Sequence, residues 1–532
     1  MQPRKLAVAV SLTLSLISAP ALSQYDHGSH GQVGTVKFPT SCDPKVQPQF
    51  ESAVAMLHSF YYSAAEKAFR EVLVQDPSCT IATWGIASIL MSNPLAGQGA
   101  APKRAEVAQA AIEQGRNTPP KTQRERDYIE AVAEYYRDFS SRSERSRQES
   151  RSKAYEVLAA KYPQDDEAQI FNALYIAGTQ TQADQTYAAY LKAAAILEKQ
   201  FVKYPDHPGV AHYLIHSYDA PPIAAKGLNA ARRYADIAPA APHALHMPSH
   251  IFTRVGEWEA SAATNLRSAE VARKGSEPNE AYHASDYAVY AFLQLARDGD
   301  AKRTMDEAFR VTNFDAAARG GLYARAAMPA RYAVERGNWR EAAQLQPTAT
   351  KVPYTDAQTY FARALGAARS GDAAAAEKEV AELDRLQKSL EAAKDAYWAS
   401  EVEVQRLTVA GWIALARGKG DEAVKLMRSA ADLEDRNEKS IVTPGRILPA
   451  RELLGDMLLE LKQPAQALKE YETSHVREPN RFRGYAGAAR AAEAAGDRTK
   501  AANYYGKLLA LAKNGDPQRP ELAQARAYLA QR

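Results

Sequence analysis

The sequence predicts an all-α superhelical solenoid built from antiparallel helix pairs, and three observations carry that prediction. First, a hairpin grammar recurs: a small residue, an aromatic and a helix-ending proline return at fixed spacing. Ala65, Phe69 and Pro77 do so in FESAVAMLHSFYYSAAEKAFREVLVQDPSC (50–79). Second, two histidine pairs are offset by 34 residues, His212 to His246 and His216 to His250, which is the period of one such hairpin. Third, no segment shows sustained strand alternation. The physical reason for the grammar is packing. Two crossing helices need a small side chain at the crossing and a large one beside it, and proline lacks the N–H to continue the second helix. Roughly nine to twelve helix pairs are expected from this period.

Taken in order, residues 1–23 read as a secretory signal, with a retained membrane anchor as the alternative. Arg4 and Lys5 form a charged start, Leu6 to Ile17 a short apolar stretch, and Ala21-Leu22-Ser23 the small residues before a cut at Gln24. Export to the periplasm or medium is therefore expected, and beyond that leader nothing is long and apolar enough to span a bilayer. Residues 24–45 read as an extended stretch containing His, Gly and Pro. Within it, His27 and His30 offer loose metal contacts, as short His-rich tracts do, or simply a solvated terminus. The only cysteines, Cys42 and Cys79, suggest one disulfide in an oxidising compartment, tying the segment before the first helix to the start of the second repeat.

The helical array is divided into an N-terminal part, 46–350, and a C-terminal part, 351–532. Glycines at inter-helix turns mark further units at Gly256, Gly299, Gly337, Gly371 and Gly420. The clearest units are 448–480, with Gly455, Ala467, Tyr471 and Pro479, and 481–512, with Gly496, Ala501 and Tyr505. Residues 94–124 carry Pro/Gly-rich breaks, and 435–449 read as a loop joining a C-terminal block.

Seven of the eleven histidines fall between His207 and His283. Counting from the turn at Gly256, His246 and His250 occupy places on the first helix of their unit that face the concave groove. The 34-residue offset puts His212 and His216 at the same places one unit earlier. Residues four apart share a helix face, and packed helices lie about 8–10 Å apart, so four imidazoles can converge. His243, Asp219 and His283 extend the candidate metal set. Met247, Asp286, Arg254 and Arg331 are possible groove contacts, with solvated surface charge the plainer reading of the two arginines.

Neutral imidazoles suit copper, iron and zinc. HYLIH lacks the glutamate of a zinc protease. Three readings stay open: a bound transition metal, contact with a peptide or small molecule, or plain structure. Pro248, between His246 and His250, implies either a helix start or a kink there. His58 reads as groove-facing but distant, and His475 as an ordinary surface residue. Nearby Tyr213, Tyr218, Tyr287 and Tyr290 read mostly as packing.

Composition narrows the function. Lys+Arg 67 against Asp+Glu 63 argues against a nucleic-acid binder. There is no phosphate-binding Gly-rich loop, no nucleophile elbow, no dinucleotide fingerprint and no CxxCH for covalent haem.

The stretches HSFYYSAAEKAFREVLVQDPSCTIATWG (58–85), HYLIHSYDAP (212–221), HMPSHIFTRVGEW (246–258) and PARELLGDMLLELKQPAQALKEYETSHVREPNRF (449–482) resemble a family of large exported bacterial tetratricopeptide (TPR) repeat proteins. The resemblance implies a partner-binding solenoid and attaches no reaction to it. Ordinary members seldom place five imidazoles in one groove. Three functions are therefore expected as alternatives: a metal-holding binding protein, a metalloenzyme using the same histidines, and a metal-free adaptor for a protein or peptide.

Overall fold

The computed structural model describes residues 31–531 apart from 98, 313, 315–318 and 348. The signal stretch, His27 and His30 lie outside the described residues. Among those described there are 26 α-helices, one 3₁₀ turn and no strand. Pro242–His246 and Pro248–Val255 are one broken helix, and Pro520–Ala530 stands alone as a cap. The rest pair in sequence, which makes twelve hairpins. The expected solenoid of helix pairs is what the chain forms.

The hairpin grammar has a visible cause. In Tyr62–Gln75 the buried positions are Ala64, Ala65, Ala68, Phe69 and Val72, one stripe at helical spacing. The Phe69 ring presses on Gly85 of the following helix, leaving no room for a Cβ there. Tyr471 does the same to Gly455, where an added Cβ would lie 2.7 Å from its ring. The aromatic thus fills a notch that only glycine leaves. Gly256 ends Pro248–Val255 in a left-handed conformation (φ 74°) that costs glycine little. Cys42 and Cys79 form the expected disulfide.

Apolar packing is continuous from Val33 to Phe252. A second core joins Tyr323, Ala327 and Val334 to Tyr354, Phe361 and onward to Ala525, so packing runs across residue 350. The superhelix also closes on itself. Trp258 Nε1–H donates to the Asn480 carbonyl (2.7 Å), and Arg519 pairs with Asp298 (2.7 Å). Buried Arg481 pairs with Glu335 (2.8 Å) and Glu452 (2.7 Å). No helix among the described residues is long and apolar enough to cross a membrane.

One expectation needs correction. The histidine-bearing helices do not line an open groove. The stretch after Gly420–Glu434, read from sequence as a joining loop, runs through the interior and covers them. Arg331 Nη2 donates to the Gly445 carbonyl (2.6 Å), Tyr187 OH donates to Glu438 (2.8 Å), and Arg254 pairs with Glu438 (3.3 Å). Every residue of Pro208–Ser217 is buried in consequence.

Candidate metal centre

Pro208–Ser217 carries His212 and His216 one turn apart, so both rings leave the same face. The proline-bearing helix that follows bends rather than restarts. Met247 keeps helical angles (φ −54°, ψ −36°) between Pro242–His246 and Pro248–Val255. The Met247 N–H donates to the His243 carbonyl (2.9 Å) and the His250 N–H to the Met247 carbonyl (3.1 Å). The bend lets His246 and His250 stay side by side although Pro248 removes a backbone donor between them.

The sequence grouped the four paired histidines together; the structure sorts six into two adjoining triads. His212, His216 and His243 form one, and His246, His250 and His283 the other. Within each, the candidate ligand atoms lie within 4.8 Å of one another. Each triad is thus an i, i+4 pair plus one histidine from the next inward-facing helix. The triads touch, with ring centroids 5.6 Å apart for His216–His250 and 5.9 Å for His243–His246.

The tautomers follow from the outer partners. His212 Nδ1–H donates to the His58 carbonyl at 2.6 Å, and a carbonyl can only accept. His243 Nδ1–H donates to Glu280 (3.3 Å), His246 Nδ1–H to Asn265 Oδ1 (2.7 Å), and His250 Nδ1–H to Asp219 (2.8 Å). Burial and neighbouring histidines hold the pKa of His212, His216 and His246 well below the usual value. Burial lowers His250 too, and takes His283 to about 3. Those five rings are therefore neutral at pH 7, and the anchored ones among them turn Nε2 inward.

Few donors reach those Nε2 lone pairs: Tyr287 OH lies 3.5 Å from His250 Nε2. Nε2 of His212, His216 and His243 is buried without a hydrogen-bond partner, and so is Nδ1 of His283. An unsatisfied buried polar atom costs about 1–3 kcal/mol. In the second triad, His246 Nε2 and His250 Nε2 face each other at 3.0 Å. With both Nδ1 atoms carrying the proton, two lone pairs point at one another, an arrangement that a shared cation relieves. Nitrogens bound at about 2.0–2.1 Å to one ion sit about 2.9–3.3 Å apart for angles from square to tetrahedral.

The remaining expected residues take other places. Asp219 is not among the inward-facing donors: one oxygen holds His250 and the other accepts from Arg254 Nε (2.8 Å), with Lys439 Nζ 3.8 Å away. Burial opposes its charge, but Lys439 and Arg254 hold its carboxyl far below the usual range. Arg254 and Arg331, read as solvated surface charges, are buried instead, tied to Asp219 and to Asp286 (3.1 Å). Burial raises Asp286 to about 6 against the pull of Arg331. Met247 sits buried at the bend. His475 is not an ordinary surface residue; it packs on Tyr485 and Tyr504, and burial lowers it to about 4.

Sequence reasoning missed Glu167, Asn265, Glu280 and Lys439. Glu167 joins two histidines into a separate cluster, accepting from His207 Nε2–H (2.8 Å) and His58 Nε2–H (2.8 Å). His58 is therefore not distant: its ring belongs to that cluster and its carbonyl anchors His212. None of the four carries a local signal, because Glu167, Asn265 and Glu280 reach their histidines from other helices and Lys439 reaches Asp219 from the covering stretch. A cavity of about 730 Å³ opens between Arg124, Tyr162 and Tyr204 and reaches His207 and Glu167, not the triads. A metal ion needs no such volume, so the triads' donor chemistry is the stronger guide.

No known family's sequence pattern matches this chain, and no curated protein does. Among solved structures, a tetratricopeptide repeat protein from Parabacteroides merdae ATCC 43184 is similar at 14% identity, covering 54% of this chain and 98% of that one, with a TM-score of 0.29. The APC/C hetero-tetramer Cut9-Hcn1 is similar at 12% identity, covering 90% of this chain and 96% of that one, with a TM-score of 0.30. Neither likeness bears on function, which rests on the two triads themselves.

Proposed function

We propose that this protein is an exported helical-repeat binding protein that holds a transition metal among its interior histidines. One observation carries the reading: three buried imidazole nitrogens, on His212, His216 and His243, converge without partners while the opposite nitrogens of two of those rings are anchored to a carbonyl and a carboxylate. Orienting partners of this kind are how proteins prepare histidine for metal. A fully satisfied structural cluster would leave no such atoms, and a peptide ligand could not reach them beneath the 438–446 stretch. Export is inferred from the leader-like first 23 residues and is consistent with the disulfide.

A metalloenzyme is the second reading, and a specific observation favours it. Each triad supplies three ligands and so leaves a coordination position open, as catalytic metal sites do. Equilibrium dialysis of the tag-free chain against copper, zinc and iron tests the shared premise. Retention of metal by the wild type and lower retention in His212→Ala, with unchanged circular dichroism, is expected. Equal retention in both proteins would refute the site.

A further inference from the structure

We propose that the six histidines hold two copper ions in a single centre, and that in the cuprous state this pair takes up one molecule of dioxygen. The proposal rests on the metal-holding reading above and adds number, identity and reactivity to it.

The number follows from geometry. The donors gather at two foci, and six bulky imidazoles do not crowd around one ion. Both foci are built alike, an i, i+4 pair closed by a histidine from the next inward helix, and each closing residue keeps an unpartnered nitrogen, His243 Nε2 and His283 Nδ1. The two ions would be neighbours, since the rings of His216 and His250, and of His243 and His246, are in contact.

The identity follows from charge. The carboxylates near the foci are already committed behind the rings: Asp219 to His250, Arg254 and Lys439, and Asp286 to Arg331. Only Glu280, holding His243, is in no pair with Lys or Arg among the described residues. Two divalent ions would bring four positive charges into a buried site of neutral donors. The cost of burying an ion grows with the square of its charge, so two monovalent ions are far better tolerated. Imidazole is also a good donor to copper, which heads the divalent affinity series once oxidised.

The reactivity follows from adjacency. Each cuprous ion gives one electron to the same dioxygen, which becomes peroxide held between two cupric ions; no other reductant and no proton is required. Dioxygen is small enough for a centre roofed by the 438–446 stretch, and Tyr287, whose ring centroid lies 4.6 Å from that of His246, closes one side.

The test is an anaerobic cuprous titration of the full chain against a coloured chelator, followed by exposure to air in an oxygen electrode and by paramagnetic resonance. Two copper ions per chain are expected, falling to one in His216→Gln and in His283→Gln, glutamine being chosen so that the fold survives; His475→Gln serves as the control with two. Wild type should consume one dioxygen per two coppers and stay resonance-silent although both coppers are then cupric, whereas the one-copper variants should not take up dioxygen in that ratio. One copper in the wild type, lost in His216→Gln and untouched in His283→Gln, overturns the pair and leaves the metal reading standing. Two coppers without oxygen uptake overturn the reactivity. Zinc retained in place of copper overturns the identity, and no bound metal of any kind overturns this inference together with the reading beneath it.

Discussion

Two histidine clusters lie against each other in this protein, and they differ in one respect. In the His58–Glu167–His207 cluster every ring nitrogen is used. His207 Nδ1 accepts the Val210 N–H (3.3 Å), His58 Nδ1 accepts from Tyr213 OH (2.9 Å), and both Nε2–H groups donate to one carboxylate. In the triads Nε2 of His212, His216 and His243 is bare, while Nε2 of His246 and of His250 face each other at 3.0 Å with Tyr287 OH 3.5 Å from the latter. His58 belongs to both, by its ring to the first and by its carbonyl to the second. Both are buried and both are built on histidines; the first is closed by the Glu167 carboxylate, and only in the triads does the hydrogen-bond account stay open.

Acid offers the largest perturbation of that contrast. His58, His212, His216, His246 and His250 have lowered pKa values in the fold, as do His475 at about 4 and His283 at about 3, against about 6.5 unfolded. Between those limits the unfolded chain binds more protons, so stability rises with pH there. The histidine contribution should be constant above about pH 7 and be lost progressively as pH falls below about 6.5, while Asp286 and Glu434, raised by burial to about 6 and about 8, act in the opposite direction. Denaturant melts across pH 4–8 check this; a flat profile below pH 6 would contradict the neutral buried rings.

Next in size is the closed cluster. Glu167→Ala leaves two buried imidazoles without their carboxylate and should cost about 3–5 kcal/mol. In the metal-free protein, His216→Leu removes an atom that has no partner. It should fall within about 1 kcal/mol of wild type, or be more stable. Chemical denaturation compares the two directly, and equal losses would erase the distinction drawn here. Removing the Cys42–Cys79 bridge should cost about 2–4 kcal/mol while leaving metal content unchanged, because it fastens the leading segment and not the triads.

The outer partners give the finest distinction. Asp219→Asn and Glu280→Gln should weaken metal binding about 10–100-fold without abolishing it, by loosening His250 and His243. Asn265→Ala belongs to the same class through His246. Competition titrations read the effect; a complete loss on Glu280→Gln would make that carboxylate a direct ligand.

Much of the fold was legible in the sequence because its cause is local. Phe69, Tyr471 and the glycines they press on recur at a fixed spacing, and a period needs no knowledge of distant contacts. The histidines were legible for the same reason, since H-x3-H at a 34-residue offset places rings on equivalent faces. Their sorting into triads was not, because His243 and His283 approach from neighbouring helices around a bend at Pro248. Glu167 and the covering stretch were invisible for a simpler reason. Glu167 sits 40 residues from His207, and Glu438 sits 184 from Arg254, so only the closed superhelix brings them together.

The measurement that tests the central claim most directly is the metal content of the tag-free protein, beside His212→Ala and His207→Ala. Stoichiometric copper, iron or zinc in the wild type is predicted, lowered in His212→Ala by the share of the first triad and kept in whatever His207→Ala protein folds. No metal in any of the three, even after reconstitution, or equal metal in all, would contradict the claim that unpartnered imidazoles mark the site.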